Sequence, residues 1–217
     1  MKLKLINRLK KRSHKELALL QDIVIDIVYE IFPKAVLHGG TAIWRCYQGT
    51  RFSEDIDIYL DKYDVNNIGH FKEKLKNRKL ELKKFKITDN VIYAKIAMNK
   101  IIMRLEVSFL KFNHNKIILK KYETIDGNYI SIFTLSAEEL IKEKVKAYLS
   151  RRFVRDIYDI FILLDFVEEK KEIIASLKKL LSNFKQPIDK DILFSLVFYG
   201  SCPTTKQIMR EIKKWVK

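Results

Sequence analysis

The sequence predicts an α+β protein: a sheet with flanking helices over residues 1–133, followed by an α-helical bundle over residues 134–217. Three observations carry the prediction. Apolar residues recur at three- and four-residue intervals over residues 13–31. β-Branched and aromatic runs separated by polar turns fill much of residues 55–122. From Ser136 onward helical periodicity continues and no strand-like run returns.

In chain order, Leu17, Leu20, Val24, Ile27, Val28 and Ile31 define one face of an amphipathic helix, which Pro33 stops. A short apolar segment at 35–37, the pair Gly39-Gly40 and a helix over 41–47 come next. Residues 55–60, Asp-Ile-Asp-Ile-Tyr-Leu, alternate polar and apolar as a half-buried strand does. Helical spacing resumes at 65–79 through Val65, Ile68, Phe71 and Leu75. The runs 91–98, 101–110 and 116–122 read as consecutive antiparallel strands. Ser136, followed by Glu138 and Glu139, opens a helix that its hydroxyl would cap. Helices are expected near 136–150, 154–168, 171–183, 188–198 and 204–216.

At 217 residues, with 47% of them apolar and only six Gly and three Pro, the chain has enough apolar surface to bury a core, which excludes a disordered protein. Its apolar runs are far shorter than the roughly 18 residues needed to span a bilayer. The lysine-rich start is not followed by an uninterrupted apolar stretch, because His14, Lys15, Glu16, Gln21 and Asp22 intervene. A cytoplasmic location with no membrane partner is expected. Cys46 and Cys202 stand alone without CxxC spacing and read as buried free thiols.

The net charge of +16 is a statement about partners, since a basic surface attracts phosphate polyanions. Most of the excess precedes residue 134. Between residues 72 and 86, Lys72, Lys74, Lys76, Arg78, Lys79, Lys83, Lys84 and Lys86 face only Glu73 and Glu81. Such a stretch is either a solvated helix and loop or a contact for nucleic acid or a nucleotide polyphosphate.

The chemistry concentrates in residues 38–59, His-Gly-Gly-Thr-Ala-Ile-Trp-Arg-Cys-Tyr-Gln-Gly-Thr-Arg-Phe-Ser-Glu-Asp-Ile-Asp-Ile-Tyr. On a strand, Asp55 and Asp57 point to one face about 6.6 Å apart, at about 3.3 Å per residue. Carboxylates so placed share divalent cations, which hold a triphosphate and offset the charge of phosphoryl transfer. Gly39 and Gly40 let the backbone approach a phosphate at the start of the following helix. Taken singly, a Gly-Gly pair is more often a turn, and Asp-x-Asp more often solvated or salt-bridged. Glu106 is an acid inside an apolar strand, costly there unless it is bound to metal or paired with a neighbour such as Arg104 or Lys95. Trp44, Tyr47 and Phe52 read as core, and His38 as structural.

The order strand, Gly39-Gly40-Thr41-Ala42, helix, then Arg51-Phe52-Ser53-Glu54-Asp55-Ile56-Asp57 resembles the polymerase-β-like nucleotidyltransferase superfamily, and in particular the AbiEii/AbiGii toxin-type nucleotidyltransferases. The likeness continues through Lys144, Arg151 and Arg155-Asp156-Ile157-Tyr158-Asp159, and so covers residues 36–165. It implies a nucleotidyltransferase-fold mixed sheet with flanking helices and a helical C-terminal bundle. It also implies catalytic roles for Asp55, Asp57, Glu106, Lys144 and Asp156. Asp55, Asp57 and Glu106 would hold Mg²⁺ or Mn²⁺, with Glu106 completing the metal site or acting as base.

On the same resemblance Gly39, Gly40 and Thr41 cradle the phosphates of an NTP, and Lys144, with Lys146 as a nearby alternative, contacts them as a compact cation. Arg51 and Ser53 either hold the lead-in to the strand or touch phosphate. Asp156 either orients Lys144 or serves as base, while Asp159 is a site residue or a helix-capping acid. The implied reaction moves NMP from an NTP to an acceptor hydroxyl, with RNA at the tRNA 3′ end as acceptor and an antitoxin protein as partner. A small-molecule nucleotidyltransferase and a catalytically silent binding module share the same fold and remain alternatives.

Overall fold

A computed structural model describes residues 3–109 and 116–216. The chain divides into two compact units: residues 1–46 with 53–134, and residues 47–52 with 135–217.

In the first unit, α1 (Leu5–Arg8) and α2 (Arg12–Ile31) precede β1 (Val36–His38), which runs directly into α3 (Gly39–Cys46). Then come β2 (Ile56–Leu60), α4 (Ile68–Asn77), β3 (Glu81–Ile87), β4 (Val91–Met98), β5 (Ile101–Phe109), β6 (Ile117–Glu123) and β7 (Tyr129–Leu135). Among the described residues, the strands form one sheet in the order β3-β4-β5-β2-β1-β7-β6. β2 runs antiparallel to β1 and parallel to β5, and β1 runs parallel to β7, so the sheet is mixed.

Ile56, Ile58, Leu60, Met103, Leu105, Val107, Ile92, Ala94 and Ile96 are buried on one face of the sheet. Val28 of α2, Phe32 immediately after that helix and Phe71 of α4 close over that face. The opposite residues, among them Asp57, Tyr93, Lys95, Arg104 and Glu106, keep contact with solvent. The alternation expected at residues 55–60 is therefore realised, and it extends across the neighbouring strands. Arg45, 2% exposed, ties α3 into the unit by donating to the carbonyls of Ala18 and Glu123 and to Asp22. Trp44 belongs to this core, as the sequence predicts.

Three strand readings need correction. β5 and β6 are not neighbours: β5 pairs with β4 and β2, whereas β6 lies at the far edge. β3 and β7 occupy stretches for which no strand is predicted. In β3 the cause is a register shift between Leu82 and Lys84, which separates the inward Leu82 and Phe85 by three residues and mimics helical spacing. The basic residues from Lys79 to Lys86 thus belong to a turn and an edge strand, not to a helix and loop. The predicted strand end at Leu110 lies outside the described residues.

The second unit contains α5 (Ala137–Arg151), α6 (Val154–Leu163), α7 (Lys170–Ser182), the single turn α8 (Leu193–Leu196) and α9 (Thr205–Val216). Ser136 caps α5, its Oγ accepting from Glu139 N at 3.4 Å. The helix expected at 188–198 shrinks to a 3₁₀ turn and α8. Backbone pairing with residues 50–52 takes the following residues away from it: Phe52 N donates to Leu196 O, Phe198 N donates to Thr50 O, and Arg51 forms an antiparallel bridge with Val197. Tyr47 and Phe52 are buried in this unit, Tyr47 edge-on to Phe166. Cys46 is buried and free as predicted, whereas Cys202 is half-buried.

Candidate active site

In the sheet unit the acids stand at adjacent positions of the two central strands. Asp57 and Glu106 are direct partners in the parallel β2–β5 register, and Asp55 precedes β2 on the same side. His38 is Asp57's partner across β1 and stacks on Tyr59 with ring centroids 3.6 Å apart. Side chains on neighbouring strands of one face lie about 5 Å apart, so the Asp57 and Glu106 carboxyls can approach a common ion.

The backbone around these acids is fixed by buried polar side chains. Thr41 Oγ1, at the start of α3, donates to the carbonyl of Asp55. Gln21, fully buried on α2, donates from Nε2 to the carbonyl of Ser53 at 2.9 Å. Ser53 and Thr41 therefore sit at the lead-in to β2, which places Asp55 and Asp57. Gly39 has φ +69°, a left-handed conformation that disfavours a side chain, and a β-carbon there would overlap the Asp57 carboxylate. The β1–Gly39–α3 turn thus makes room for Asp57. Gly40 is buried one residue further into α3.

Asp55 is paired with Arg104, one strand away. Burial raises the Asp55 carboxyl above its ordinary range; Arg104 opposes the rise and the like charge of Asp57 adds to it. Among the described residues, no three His, Cys, Asp or Glu side chains are gathered closely enough to hold an ion. The donor set nonetheless suits a hard divalent cation, since carboxylates alone supply it. With Asp55 turned onto Arg104, Asp57 and Glu106 are the two acids placed side by side.

The helical unit carries a second cluster. Lys144 on α5 is 7% exposed, with Nζ 2.8 Å from Asp159 Oδ2 and 3.8 Å from Asp156 Oδ1. Arg151, seven residues along the same helix, forks onto Asp156 at 2.7 and 2.8 Å. Arg51 forks onto Asp159 in the same way, at 2.8 and 2.7 Å. Burial would raise the Asp159 carboxyl, but Arg51 and then Lys144 outweigh it and hold the group below its ordinary range. Three cations share two buried carboxylates, which leaves the cluster net positive. Arg51 meets an acid here, and Asp156 holds both Lys144 and Arg151. The α6 amino end is capped from elsewhere, Val154 N donating to Asp189 Oδ1 at 2.7 Å.

By sequence proximity Arg104 is a neighbour for Glu106, yet its partner is Asp55, 49 positions away. Asp159, in sequence a site residue or a helix cap, is the shared acceptor of Arg51 and Lys144. For Asp159 a signal exists in the sequence, since a carboxylate and a tyrosine one helical turn inside a basic helix start are unlike a solvated face. For Arg104 none does, because strand order decides its partner.

The fold matches solved structures of other proteins. Its TM-score is 0.64 to JHP933 from Helicobacter pylori, at 20% identity over 96% of this chain and 93% of that one. It is 0.56 to the nucleotidyltransferase toxin MenT4 from Mycobacterium tuberculosis H37Rv, at 14% identity over 94% of this chain and 82% of that one. Identities this low establish shared fold. No protein of curated function matches the chain in sequence. The family model described as "Nucleotidyl transferase AbiEii toxin, Type IV TA system" matches residues 26–199. The chain belongs to that family and is a nucleotidyltransferase of the toxin–antitoxin type. None of its helices is long and apolar enough to cross a membrane, among the described residues.

Proposed function

We propose that the chain transfers an NMP unit from an NTP to an RNA hydroxyl, with the 3′ end of tRNA as the acceptor, as the toxin of a pair whose antitoxin restrains it. The observation that carries the proposal is the register of Asp57 with Glu106 on adjacent central strands, with Asp55 two residues before Asp57 on the same side. Asp55, Asp57 and Glu106 are the residues we assign to a Mg²⁺ or Mn²⁺ ion. When bound, such an ion neutralises the triphosphate and the charge that builds on the leaving pyrophosphate.

The chain's own residues supply the rest. Gly39 keeps the space around Asp57 open, and Thr41 fixes the Asp55 backbone. With Gly40, they form the phosphate-facing start of α3 in this reading. On the helical unit, Lys144 is the cation assigned to the nucleotide's phosphates, and Asp156 positions it. The net positive charge of that cluster supports the assignment, since it favours an anion over a further cation. An acceptor hydroxyl attacks the α-phosphorus and pyrophosphate departs. RNA as acceptor is supported by the +16 charge.

The test is incubation of the protein with Mg²⁺, each α-labelled NTP in turn and total tRNA, beside Asp57→Asn, with RNA and protein resolved on gels. Label on RNA, from the wild type alone, is the expected result. Label on protein, or transfer by a folded Asp57→Asn variant, would overturn the acceptor or the site respectively.

A further inference from the structure

The solvent-facing side of the sheet carries a line of cations that ends at the acids. Lys84 on β3 is the register partner of Lys95 on β4, and Lys95 is the partner of Arg104 on β5. Arg104 in turn holds Asp55. One row along, Lys86 pairs with Tyr93, Tyr93 with Glu106, Glu106 with Asp57 and Asp57 with His38. The two rows lie on one face: Lys84 Nζ sits 5.5 Å from the centroid of the Tyr93 ring. Lys84, Lys86 and Lys95 are exposed, and Tyr93 is half-buried.

This arrangement is unfavourable for the protein alone, because like charges directly opposite on neighbouring strands destabilise a sheet. Lysines on an edge strand blunt edge-to-edge pairing, which accounts for Lys84 and Lys86 on β3. It does not account for Lys95, which lies on the interior strand β4 with Lys84 and Arg104 as its register partners; Arg104 is held by Asp55. A row of cations at the strand spacing of about 4.8 Å, with an aromatic face beside it, matches a nucleic-acid strand whose phosphates follow the cations while a base stacks on the ring.

We propose that the exposed face of β3, β4 and β5 is the track for the single-stranded end of the RNA acceptor: Lys84, Lys86 and Lys95 contact its phosphates, Tyr93 stacks a base, and the strand's terminus is led toward Asp57 and Glu106. The inference rests on the proposal that RNA is the acceptor, and the commitment to RNA over an acidic protein comes from Tyr93. An acidic peptide would use the lysines but has no need of an aromatic platform between them and the acids.

The experiment measures equilibrium binding of a fluorescent single-stranded RNA of about 12 nucleotides, a length one binding module covers, across a range of salt. Lys84→Gln/Lys95→Gln should bind more weakly, with a log–log salt dependence shallower by about 1.4, at about 0.7 for each phosphate no longer neutralised. Its thermal midpoint should be no lower than the wild type's, because the exchange relieves repulsion. Tyr93→Ala should weaken binding by between about fivefold and a hundredfold, and Tyr93→Phe should restore it. An unchanged salt dependence in the lysine variant, with wild-type binding intact, overturns the track and leaves the RNA reading standing. Failure of the wild type to bind RNA overturns both. Displacement of the RNA by polyglutamate at equal charge concentration assigns the face to an acidic protein partner and overturns the inference.

Discussion

Gly39 and Asp57 compete for one volume: a β-carbon on Gly39 would fall on the Asp57 carboxylate, so the acid can occupy its position only because Gly39, next to its strand partner His38, has no side chain. The glycine is also held at φ +69°, where an L side chain costs about 1–2 kcal/mol. Gly39→Ala is therefore expected to lower stability by at least that amount and to abolish nucleotidyl transfer by displacing Asp57. Urea midpoints together with transfer rates check both. A variant of wild-type activity would remove Asp57 from its assigned role.

Arg104 and Asp55 make a second prediction. The guanidinium neutralises a carboxylate assigned to the metal, so the two cations compete for it. Arg104→Gln should tighten Mn²⁺ binding by about two- to fivefold, the range expected when a partly exposed ion pair no longer competes. Titration followed by the paramagnetic resonance of free Mn²⁺ reads this directly, with Asp55→Asn as the variant that should weaken binding. Unchanged or weaker affinity in Arg104→Gln would show that the arginine does not oppose the ion.

The pairing of Arg51 and Lys144 with Asp159 predicts both a mutational and a pH effect. Asp159→Asn leaves two buried cations short of an acceptor, at a cost of about 3–5 kcal/mol. Asp159 is held below the ordinary aspartate value of about 3.9, so its stabilisation is complete above that pH and is lost as the pH falls through the lower folded value. Urea midpoints of the wild type should therefore drop on acidification below about pH 4. Asp159→Asn should start lower and lose less over the same interval. Parallel acid profiles for the two proteins would contradict the assignment.

Burial raises the Cys46 thiol to about 12, whereas Cys202 is half-buried. A thiol of that pKa is almost entirely protonated at neutral pH and a poor nucleophile. A native-state thiol titration should label Cys202 and spare Cys46 until denaturant is added. Rapid labelling of Cys46 in Cys202→Ser would show that the core around α3 opens readily.

The legible and illegible parts of this molecule divide by the range of the interaction. The Asp55-x-Asp57 strand, the α2 face and the Ser136 cap are visible in sequence because a few neighbouring residues determine them. Strand order is not, since β6 joins the sheet at the end opposite β3 and no local pattern states which strand β6 will meet. The bulge in β3 hides a strand by breaking its alternation. β7 hides for another reason: Tyr129 and Phe133 on its outer side are as apolar as Ile132 on its inner side, so no polar face marks it. At the candidate site the acids are readable as types in a pattern, but the Arg104–Asp55 and Arg51–Asp159 pairs span 49 and 108 positions and depend on the completed fold.

Residues 47–52 lie in sequence between α3 and β2, yet they belong to the helical unit, where Thr50 and Phe52 pair with residues 196 and 198 and Arg51 binds Asp159. In hereditary terms this interleaving makes the helical unit hard to trade. A single genetic crossover near residue 134 would import α5 to α9 with residues 196–198, but leave the recipient's own residues 50–52 to pair with them. Exchange of that unit between relatives therefore requires either two crossovers or a recipient that already carries a compatible arginine and the pairing segment around it.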